Sequence, residues 1–161
     1  MAKILLLIAL CVLPALVSAT RGLNKPLTVQ GFVHCDRCRA GFETPKTRTM
    51  AGAKVKLECR DRVSSHVVYR KEGYTDSTGQ YNIPVNEDHL DQVCDAILVK
   101  SSQPDCAEMS PGRERARVVL TNYNGLASTT RYANALHFLA AQPDSGCTEI
   151  MKLYQEDEEN L

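Results

Sequence analysis

Tryptophan is absent from this chain of 161 residues, and aromatic side chains make up only 6% of it. The sequence therefore does not indicate a carbohydrate-binding platform of stacked aromatic rings. Neither sign of charge is in excess, because 19 lysines and arginines balance 19 aspartates and glutamates. A neutral chain has no general attraction for nucleic acid or for an anionic membrane, so neither is a predicted partner. The Asn-x-Ser/Thr sequon is also absent, and N-glycosylation is not predicted.

Long apolar runs are lacking except at the N-terminus, where residues 4–13 are apolar. This run is too short to cross a hydrocarbon core of ~30 Å. Lys3 precedes it and the small-residue sequence Val17-Ser18-Ala19 follows it, which together are typical of a cleavable signal peptide. We therefore predict that residues 1–19 are removed and that the protein is secreted to the extracellular space or cell wall, with no membrane span after cleavage. An uncleaved anchor helix is the alternative.

The rest of the chain is long enough for one domain that buries roughly two-thirds of its unfolded surface. Residues 20–26 are polar, end in a proline and are predicted to be a flexible lead-in. Residues 27–153 are predicted to form the domain. Residues 154–161 contain the run Glu156-Asp157-Glu158-Glu159, which predicts a disordered acidic tail.

Cysteine usage is the strongest signal in the predicted mature chain. An even number of cysteines in an oxidising compartment predicts disulfides, here three of them. Six cysteines allow 15 pairings, and their spacing alone does not choose among these. The six positions after the signal peptide are Cys35, Cys38, Cys59, Cys94, Cys106 and Cys147.

Strand periodicity dominates the predicted domain. Apolar and polar side chains alternate over residues 27–35 and again over residues 53–60, as they do in half-buried strands. Residues 95–100 are apolar on both faces and are predicted to form a central strand. The turn over residues 75–79 predicts a hairpin, and Pro84 after it predicts an edge strand or a bulge.

Two further strands are predicted over residues 65–70 and 117–121, whereas helical signal is confined to residues 104–117 and 145–153. Short strands between turn signals, without an alternation of strands and helices, are typical of antiparallel sandwiches and barrels. We therefore predict an all-β fold with a single antiparallel β-sandwich or barrel and little helix.

The segment around the first two cysteines reads Gly-Phe-Val-His-Cys-Asp-Arg-Cys-Arg over residues 31–39, close to the pattern Gly-x-Val-Tyr-Cys-Asp-x-Cys-Arg. Further matches are found over residues 51–59, 75–81, 104–106 and 131–136, and the intervals between successive cysteines (3, 21, 35, 12 and 41) fit as well. On these residues the chain resembles the Ole e I-type pollen protein family, a family of secreted plant proteins, over about residues 27–150.

The resemblance implies seven antiparallel strands and a fixed disulfide pattern: first with fifth cysteine, second with sixth, and third with fourth. In this sequence the implied bridges are Cys35–Cys106, Cys38–Cys147 and Cys59–Cys94. The resemblance also implies a role in pollen hydration, germination or tube growth, together with potential allergenicity. The implied partner is an extracellular protein, such as a receptor-kinase ectodomain, or a cell-wall polymer, and the protein is expected to be a monomer.

Four positions depart from the family pattern. His34 stands where tyrosine is usual, and Arg37 stands where a smaller residue is usual. Ala135 takes the place of a proline, and His137 stands where glycine is common. These departures leave the expected fold unchanged, but they affect the surface around residues 34–37.

The spacing of Cys35 and Cys38 is also that of a redox motif, which needs a low-pKa thiolate, usually at a helix N-terminus in a βαβ setting. Here the motif ends a predicted strand, so structural bridges to separate partners are expected instead. Zinc binding by His34, Cys35 and Cys38 is the other interpretation of this spacing. No second pair of ligands follows in the sequence, so no metal site and no cofactor are predicted.

A cell-wall polysaccharide hydrolase, or an inhibitor of one, is the main alternative to an interaction protein. A glycosidase needs two carboxyl groups ~5–9.5 Å apart beside a sugar-sized cleft. Spacing selects no pair among the available carboxylates, and no catalytic residue is predicted. These carboxylates are Asp76, Glu87, Asp88, Asp91, Asp95, Asp105 and Glu108.

Residues 113–117 (Arg-Glu-Arg-Ala-Arg) form a local basic cluster. This cluster is suited to an acidic receptor or a pectin-like polyanion, although a solvated face of mixed charge is the interpretation that we favour. Taken together, the sequence predicts a secreted, non-enzymatic interaction protein in which a cross-linked β scaffold presents loops to an extracellular partner.

Overall fold

The computed structural model describes residues 25–159, with the side chains of residues 25–155, and the predicted signal peptide lies outside this range. Ten strands and one helix make up the described chain. They are β1 (Leu27–Asp36), β2 (Arg48–Thr49), β3 (Lys54–Asp61), β4 (Val67–Tyr74), β5 (Gln80–Val85), β6 (Gln92–Lys100), β7 (Glu108–Met109), β8 (Arg115–Val118), β9 (Thr130–Tyr132), β10 (Leu136–Leu139) and α1 (Cys147–Glu159). The predicted all-β class is confirmed. Within residues 25–159, no helix has the length and apolar character needed to cross a membrane.

Strand β1 is the centre of a six-stranded sheet. Its first half pairs with β5 on one side and with β9 on the other, and its second half pairs with β2 and β10. Strand β7 extends the sheet beyond β10. One ten-residue strand therefore satisfies the backbone groups of four partners, three of which have only two to four residues.

The second sheet has four strands in the order β4-β3-β6-β8, and all its pairings are antiparallel. Strand β6 lies between β3 and β8, as predicted for a central strand. The alternation over residues 53–60 is also confirmed, because Val55 and Leu57 are fully buried while Lys54 and Lys56 are not. The two sheets pack face to face over one continuous apolar core.

The predicted hairpin over residues 75–79 is only partly correct. The turn itself forms: the carboxylate of Asp76 accepts a hydrogen bond from the backbone N–H of Thr78 (2.8 Å), and Gly79 takes the positive φ of 80° that the turn requires. However, β4 belongs to the four-stranded sheet and β5 to the six-stranded sheet. Across the core, Gly73 leaves room for Ile83, since an added Cβ at residue 73 would lie 2.9 Å from Ile83 Cγ1. The turn therefore carries the chain between sheets.

The strand count and the purely antiparallel topology also differ from the prediction. There are ten strands instead of seven, and β9 and β10 pair with β1 in parallel. The additional strands β2, β7, β9 and β10 have two to four residues each, too few to show an alternation in the sequence. The last predicted strand is shifted too, because β8 ends at Val118 instead of Thr121.

Helix α1 agrees with the helical signal near the C-terminus but continues further than predicted. It begins at Cys147 and ends at Glu159, so it includes the acidic run that the sequence predicts as disordered. Glutamate is a good helix former, and the helix is anchored at its first residue by a disulfide, so the acidic run continues a helix that has already begun. Residues 104–117 form turns and short strands, not a helix.

Candidate functional site

The three disulfides join Cys35 to Cys106, Cys38 to Cys147 and Cys59 to Cys94, which is the pairing that the family resemblance implies. The first two tie the end of β1 to the loop before β7 and to the start of α1. The third lies within the four-stranded sheet, between directly paired residues of β3 and β6. Cys35 and Cys38 thus have different partners, and the structure gives them neither the bond of a redox motif nor free thiolates for zinc.

Arg37 reinforces the links that these two disulfides make. Its guanidinium donates to Asp144 Oδ1 (2.7 Å) and to Asp105 Oδ2 (2.9 Å). Asp105 precedes Cys106 in the chain, and Asp144 lies three residues before Cys147. The hydrogen bond from Arg37 lowers the pKa of Asp144, and the two carboxylates raise the pKa of Arg37. This departure from the family pattern is therefore a structural contact.

A cluster of charged side chains lies on the outer side of the four-stranded sheet, which we call the cationic face. Five cations surround two carboxylates there, so the group carries an excess of three positive charges. The carboxylates are Glu58 and Asp95, which are paired residues of β3 and β6. The cations are Lys56, Arg60, Arg70, Arg115 and Arg117.

Glu58 is the centre of the cationic face. Its carboxylate accepts hydrogen bonds from Lys56 Nζ (3.0 Å), Arg60 Nη2 (2.5 Å) and Arg70 Nη2 (2.8 Å). These long side chains cover the carboxylate, and its side chain is only 1% exposed. Burial alone would raise the pKa of Glu58, but the three hydrogen bonds outweigh it and lower the pKa to about 2. Glu58 is therefore ionised at every physiological pH.

Asp95 has the equivalent role in the neighbouring strand β6. Its Oδ1 accepts a hydrogen bond of 2.6 Å from Arg117 Nε, and its Oδ2 lies 3.9 Å from Arg115 Nη1. The Asp95 side chain is 9% exposed, whereas both arginine side chains are more than half exposed. The carboxylates therefore lie beneath the guanidinium groups, which face solvent.

This arrangement places hydrogen-bond donors in fixed positions on the outer surface of the sheet. A guanidinium has five N–H groups, and a single carboxylate contact leaves several of them free. Glu58 and Asp95 already hold the arginine side chains in place. Binding of an anion would therefore cost less side-chain entropy than binding to arginines without such partners. The face is therefore suited to binding several carboxylates of one molecule, each at a different guanidinium group.

The sequence prediction located only some residues of this face. Of the basic cluster over residues 113–117, Arg115 and Arg117 belong to the face, whereas Arg113 donates to the carbonyl oxygen of Gly41 elsewhere (3.1 Å). Asp95 of β6 lies among the arginines of β8, so charges of both signs are present on this part of the face. Arg70 could not be placed beside Glu58 from the sequence, because the register of β4 against β3 was needed.

Five of the seven candidate carboxylates have contacts that explain them. Asp76 and Asp88 accept backbone hydrogen bonds in turns, and Asp95, Asp105 and Glu108 pair with arginines. These contacts are the turn and ion-pair roles that compete with a catalytic role for these carboxylates.

Sequence spacing missed a group of three residues on the six-stranded sheet. His34 and His137 are 103 positions apart in the sequence, yet they are paired residues of β1 and β10, and Glu43 lies beside both. Burial lowers the pKa of both histidines. The signal that marked them in the sequence is that both depart from the family pattern.

The fold and its cross-links define a class: a small all-β sandwich with three disulfides, without a free cysteine in the described residues. A family model described as "Pollen protein Ole e 1 like" matches residues 25–155 of the chain. The chain therefore belongs to the Ole e 1-like pollen protein family, as the sequence resemblance predicted.

Individual relatives agree with this assignment. The chain is 43% identical over 154 residues to "Pollen allergen Che a 1" from Chenopodium album, covering 94% of this chain and 91% of the relative. It is 40% identical over 152 residues to "Anther-specific protein LAT52" from Solanum lycopersicum, covering 94% of each. The crystal structure of the plantain pollen allergen Pla l 1 superposes with a TM-score of 0.69 at 35% identity, covering 76% of this chain and all of that chain. The chain is a pollen-related protein.

Proposed function

We propose that this chain is a secreted, non-enzymatic interaction protein of pollen-type tissue, and that it binds an acidic cell-wall polysaccharide through the cationic face. Its role would be in pollen hydration, germination or tube growth. The observation that carries the proposal is the array of exposed guanidinium groups held in place by Glu58 and Asp95.

Secretion is supported by the cysteine chemistry as well as by the predicted signal peptide. Disulfides form and persist in oxidising compartments and are rare in the cytosol. Three of them cross-link the described chain, and two close loops with separations of 71 and 109 residues. The names of the relatives connect the family with pollen and anthers.

A polyanion fits the face better than a protein surface does. The centres of protein interfaces are depleted in charged residues other than arginine and are enriched in aromatic ones. The cationic face is instead charged at its centre. Ile97, the apolar residue paired with both Lys56 and Arg115, is only 9% exposed and so offers little apolar surface to a partner. A polymer with a carboxylate on each repeat could pair with several guanidinium groups in turn.

The test is binding of the secreted protein to polygalacturonate, measured by calorimetry at two salt concentrations. We expect binding that weakens as salt rises, because the interacting charges are exposed. The double substitution Arg115→Gln and Arg117→Gln should lower the affinity by at least about tenfold, given about 1.4 kcal/mol per tenfold change. Thermal unfolding of the same variant shows whether it is folded.

The matched control removes two exposed lysines outside the sheet, Lys25→Gln and Lys152→Gln, with the same change in net charge. If both double variants lose the same affinity, binding depends on net charge and not on the cationic face. Binding of a neutral glucan with the affinity of polygalacturonate would also contradict the proposal.

A protein partner, such as a receptor ectodomain, is the second candidate, and a different surface favours it. An apolar groove of about 370 Å³ lies beside the edge of the cationic face. Val119, Leu126 and Tyr132 contribute to it, and the tyrosine is 75% exposed. Exposed apolar side chains beside arginine are typical of protein interfaces.

The two candidates respond differently to substitution. Tyr132→Ser should weaken polygalacturonate binding much less than the double arginine substitution does, because it removes no positive charge, even though Arg117 lines the same groove. The same substitution should abolish capture of an ectodomain by the immobilised protein. Capture of an ectodomain without any polygalacturonate binding would replace the first candidate with the second.

A wall-polysaccharide hydrolase is the remaining alternative, and turnover assays address it directly. We expect no release of reducing sugar from a panel of wall polysaccharides. Turnover that is lost on substitution of Asp88 or Glu87 would contradict a non-enzymatic scaffold.

A further inference from the structure

Two histidines lie side by side on the six-stranded sheet. His34 of β1 and His137 of β10 are opposite each other in the parallel register, so their side chains project from the same face. Their ring centroids are 5.5 Å apart. Neighbouring positions of a sheet thus bring together two side chains that both bind transition metals well.

Glu43 completes the group from the loop that follows β1. Its Oε1 lies 3.5 Å from His34 Nδ1 and 3.9 Å from His137 Nε2. One ligand atom from each of the three residues lies within 4.8 Å of the other two. The three side chains therefore converge on one point.

The ring nitrogens lack the hydrogen bonds that buried polar atoms normally have. His137 is completely buried, and neither of its ring nitrogens has a hydrogen-bond partner. His34 Nδ1 is also buried without one, since the approach of Glu43 does not have hydrogen-bond geometry. Leaving such groups unpaired is costly, and native structures rarely do so without a reason.

We propose that His34, His137 and Glu43 bind a zinc ion. Two imidazoles and one carboxylate form a ligand set that zinc uses in proteins, with a fourth position open to water or to a further ligand. Imidazole nitrogen also selects zinc and its neighbours over calcium and magnesium, which prefer oxygen ligands. The ion would connect β1, β10 and the loop that carries Glu43.

The two distances to Glu43 are compatible with this site after small shifts, and the ligand nitrogens of the two histidines lie within 4.8 Å of each other. Tetrahedral zinc with bonds of about 2.0–2.1 Å places its ligand atoms about 3.3 Å apart. The separation between His34 and Glu43 is close to that value, and the one between His137 and Glu43 is about half an ångström longer. The Glu43 side chain is 60% exposed and can close this gap without disturbing the core.

Two other charged groups act on the site. Arg113 lies close enough to His137 to oppose a cation, whereas the carboxylate of Asp36 favours one. Arg113 also donates to the carbonyl oxygen of Gly41, two residues before Glu43, and so helps to position the loop. The carboxylates of Asp36 and Glu43 oppose the single positive charge of Arg113.

Titration of the tag-free, disulfide-bonded secreted protein with zinc chloride tests the site. We expect one zinc ion per chain by calorimetry and no comparable binding of magnesium. Glu43→Gln and His34→Gln should each weaken zinc binding at least about tenfold. Because His137 is buried and its variants risk unfolding, the histidine ring signals in the NMR spectrum replace substitution there: zinc should shift those of His34 and His137.

Matched controls are Glu87→Gln and His66→Gln, which change an exposed carboxylate and an exposed imidazole outside the group. Both should bind zinc as the parent does. Absence of zinc binding, or binding that Glu43→Gln and His34→Gln leave unchanged, would overturn the proposal. Loss of binding in His66→Gln would place the ion elsewhere and would overturn it too.

Discussion

The two sheets of the sandwich are held together in different ways. In the four-stranded sheet, β3 pairs with both neighbours along most of its length, and its one disulfide joins directly paired residues. In the six-stranded sheet, most partners of β1 are short, and two disulfides link β1 to segments 71 and 109 residues away. Covalent links over long separations occur where the hydrogen-bonded ladders are shortest.

The ion pairs of the two sheets show the same contrast between local contacts and contacts with distant segments. In the four-stranded sheet, most ion pairs form around two buried carboxylates within the ladder, Glu58 and Asp95. The ion pairs beside the six-stranded sheet, made by Arg37 and Arg39, reach carboxylates that are more exposed and lie far away in the sequence, two of them in loops and the third, Glu108, in β7. One sheet is therefore stabilised locally, and the other through its connections to the rest of the chain.

Of the substitutions considered, removal of one disulfide from each sheet should give the largest losses in the free energy of unfolding, and the two losses should differ. Replacing Cys38 and Cys147 by alanine removes a loop constraint worth about 4.8 kcal/mol on chain-entropy grounds, against about 3.8 kcal/mol for Cys59 and Cys94. We expect the first pair of substitutions to lower the free energy of unfolding more, as measured by urea denaturation. An equal or larger loss from the second pair would contradict the distinction between the sheets.

Glu58→Gln should show the next largest effect, and it depends on pH. The pKa of Glu58 is about 2 in the folded protein, below the ordinary 4.5. Its stabilisation is therefore complete above about pH 4.5 and is lost as the pH falls towards 2, with a ceiling of about 3 kcal/mol. We expect the variant to lose about 2 kcal/mol at pH 7 and little at pH 2, measured by urea unfolding at each pH.

The control for this prediction comes from the other sheet. Glu108 pairs with Arg39 but is exposed, so Glu108→Gln should change the free energy of unfolding at pH 7 much less than Glu58→Gln does. If the two variants lose the same stability, burial of the carboxylate is not what distinguishes the sheets.

Arg37→Gln should have a smaller effect in the six-stranded sheet. The substitution removes hydrogen bonds to Asp105 and Asp144, which connect the same segments as two of the disulfides do. Partly exposed pairs of this kind contribute about 1 kcal/mol or less to the free energy of unfolding. The measurement is urea unfolding with the disulfides intact, with the exposed Arg62→Gln as control. A loss above about 2 kcal/mol would show that Arg37 is a primary link and not a reinforcement.

Tyr81→Phe should have the smallest effect and the opposite sign. The Tyr81 hydroxyl is buried in the core without a hydrogen-bond partner and packs against Gly31, where any added Cβ would collide with it. Removing the hydroxyl should raise the free energy of unfolding by up to about 1 kcal/mol. Exposed Tyr132→Phe should leave stability unchanged. Destabilisation by Tyr81→Phe would reveal a hydrogen bond of that hydroxyl.

Long alternating segments could be predicted from the sequence, whereas relations between segments could not. The pattern from Ala53 to Arg60 repeats over four periods, so β3 and its polar face were predictable. Strand β10 reads Leu-His-Phe-Leu and is buried at every position, so no alternation marks it. Its strand conformation depends on the free backbone groups of β1, which lie about 100 residues earlier.

The candidate sites, too, could be predicted only where their residues lie in one segment. Alternation placed Lys56, Glu58 and Arg60 on one side of a strand, but the burial of Glu58 depends on Arg70 from a neighbouring strand. Likewise, nothing in local spacing connects His34 with His137, because their contact comes from the register of β1 and β10. Register is a property of the folded sheet, and a single sequence does not contain it locally.

The pairing of β1 with β9 and β10 has a consequence for the order of folding during synthesis. Residues 54–118 contain all four strands of the second sheet, so this sheet can assemble, and Cys59 can join Cys94, before the last quarter of the chain has been made. Strand β1 is made early but finds two of its partners only at residues 130–139, and Cys38 waits for Cys147. Contacts of such high contact order form slowly. We therefore expect the pairing of β1 with β9 and β10 to form after the four-stranded sheet is complete. Pulse-labelling of thiols during secretion should then find that Cys38 is oxidised after Cys59.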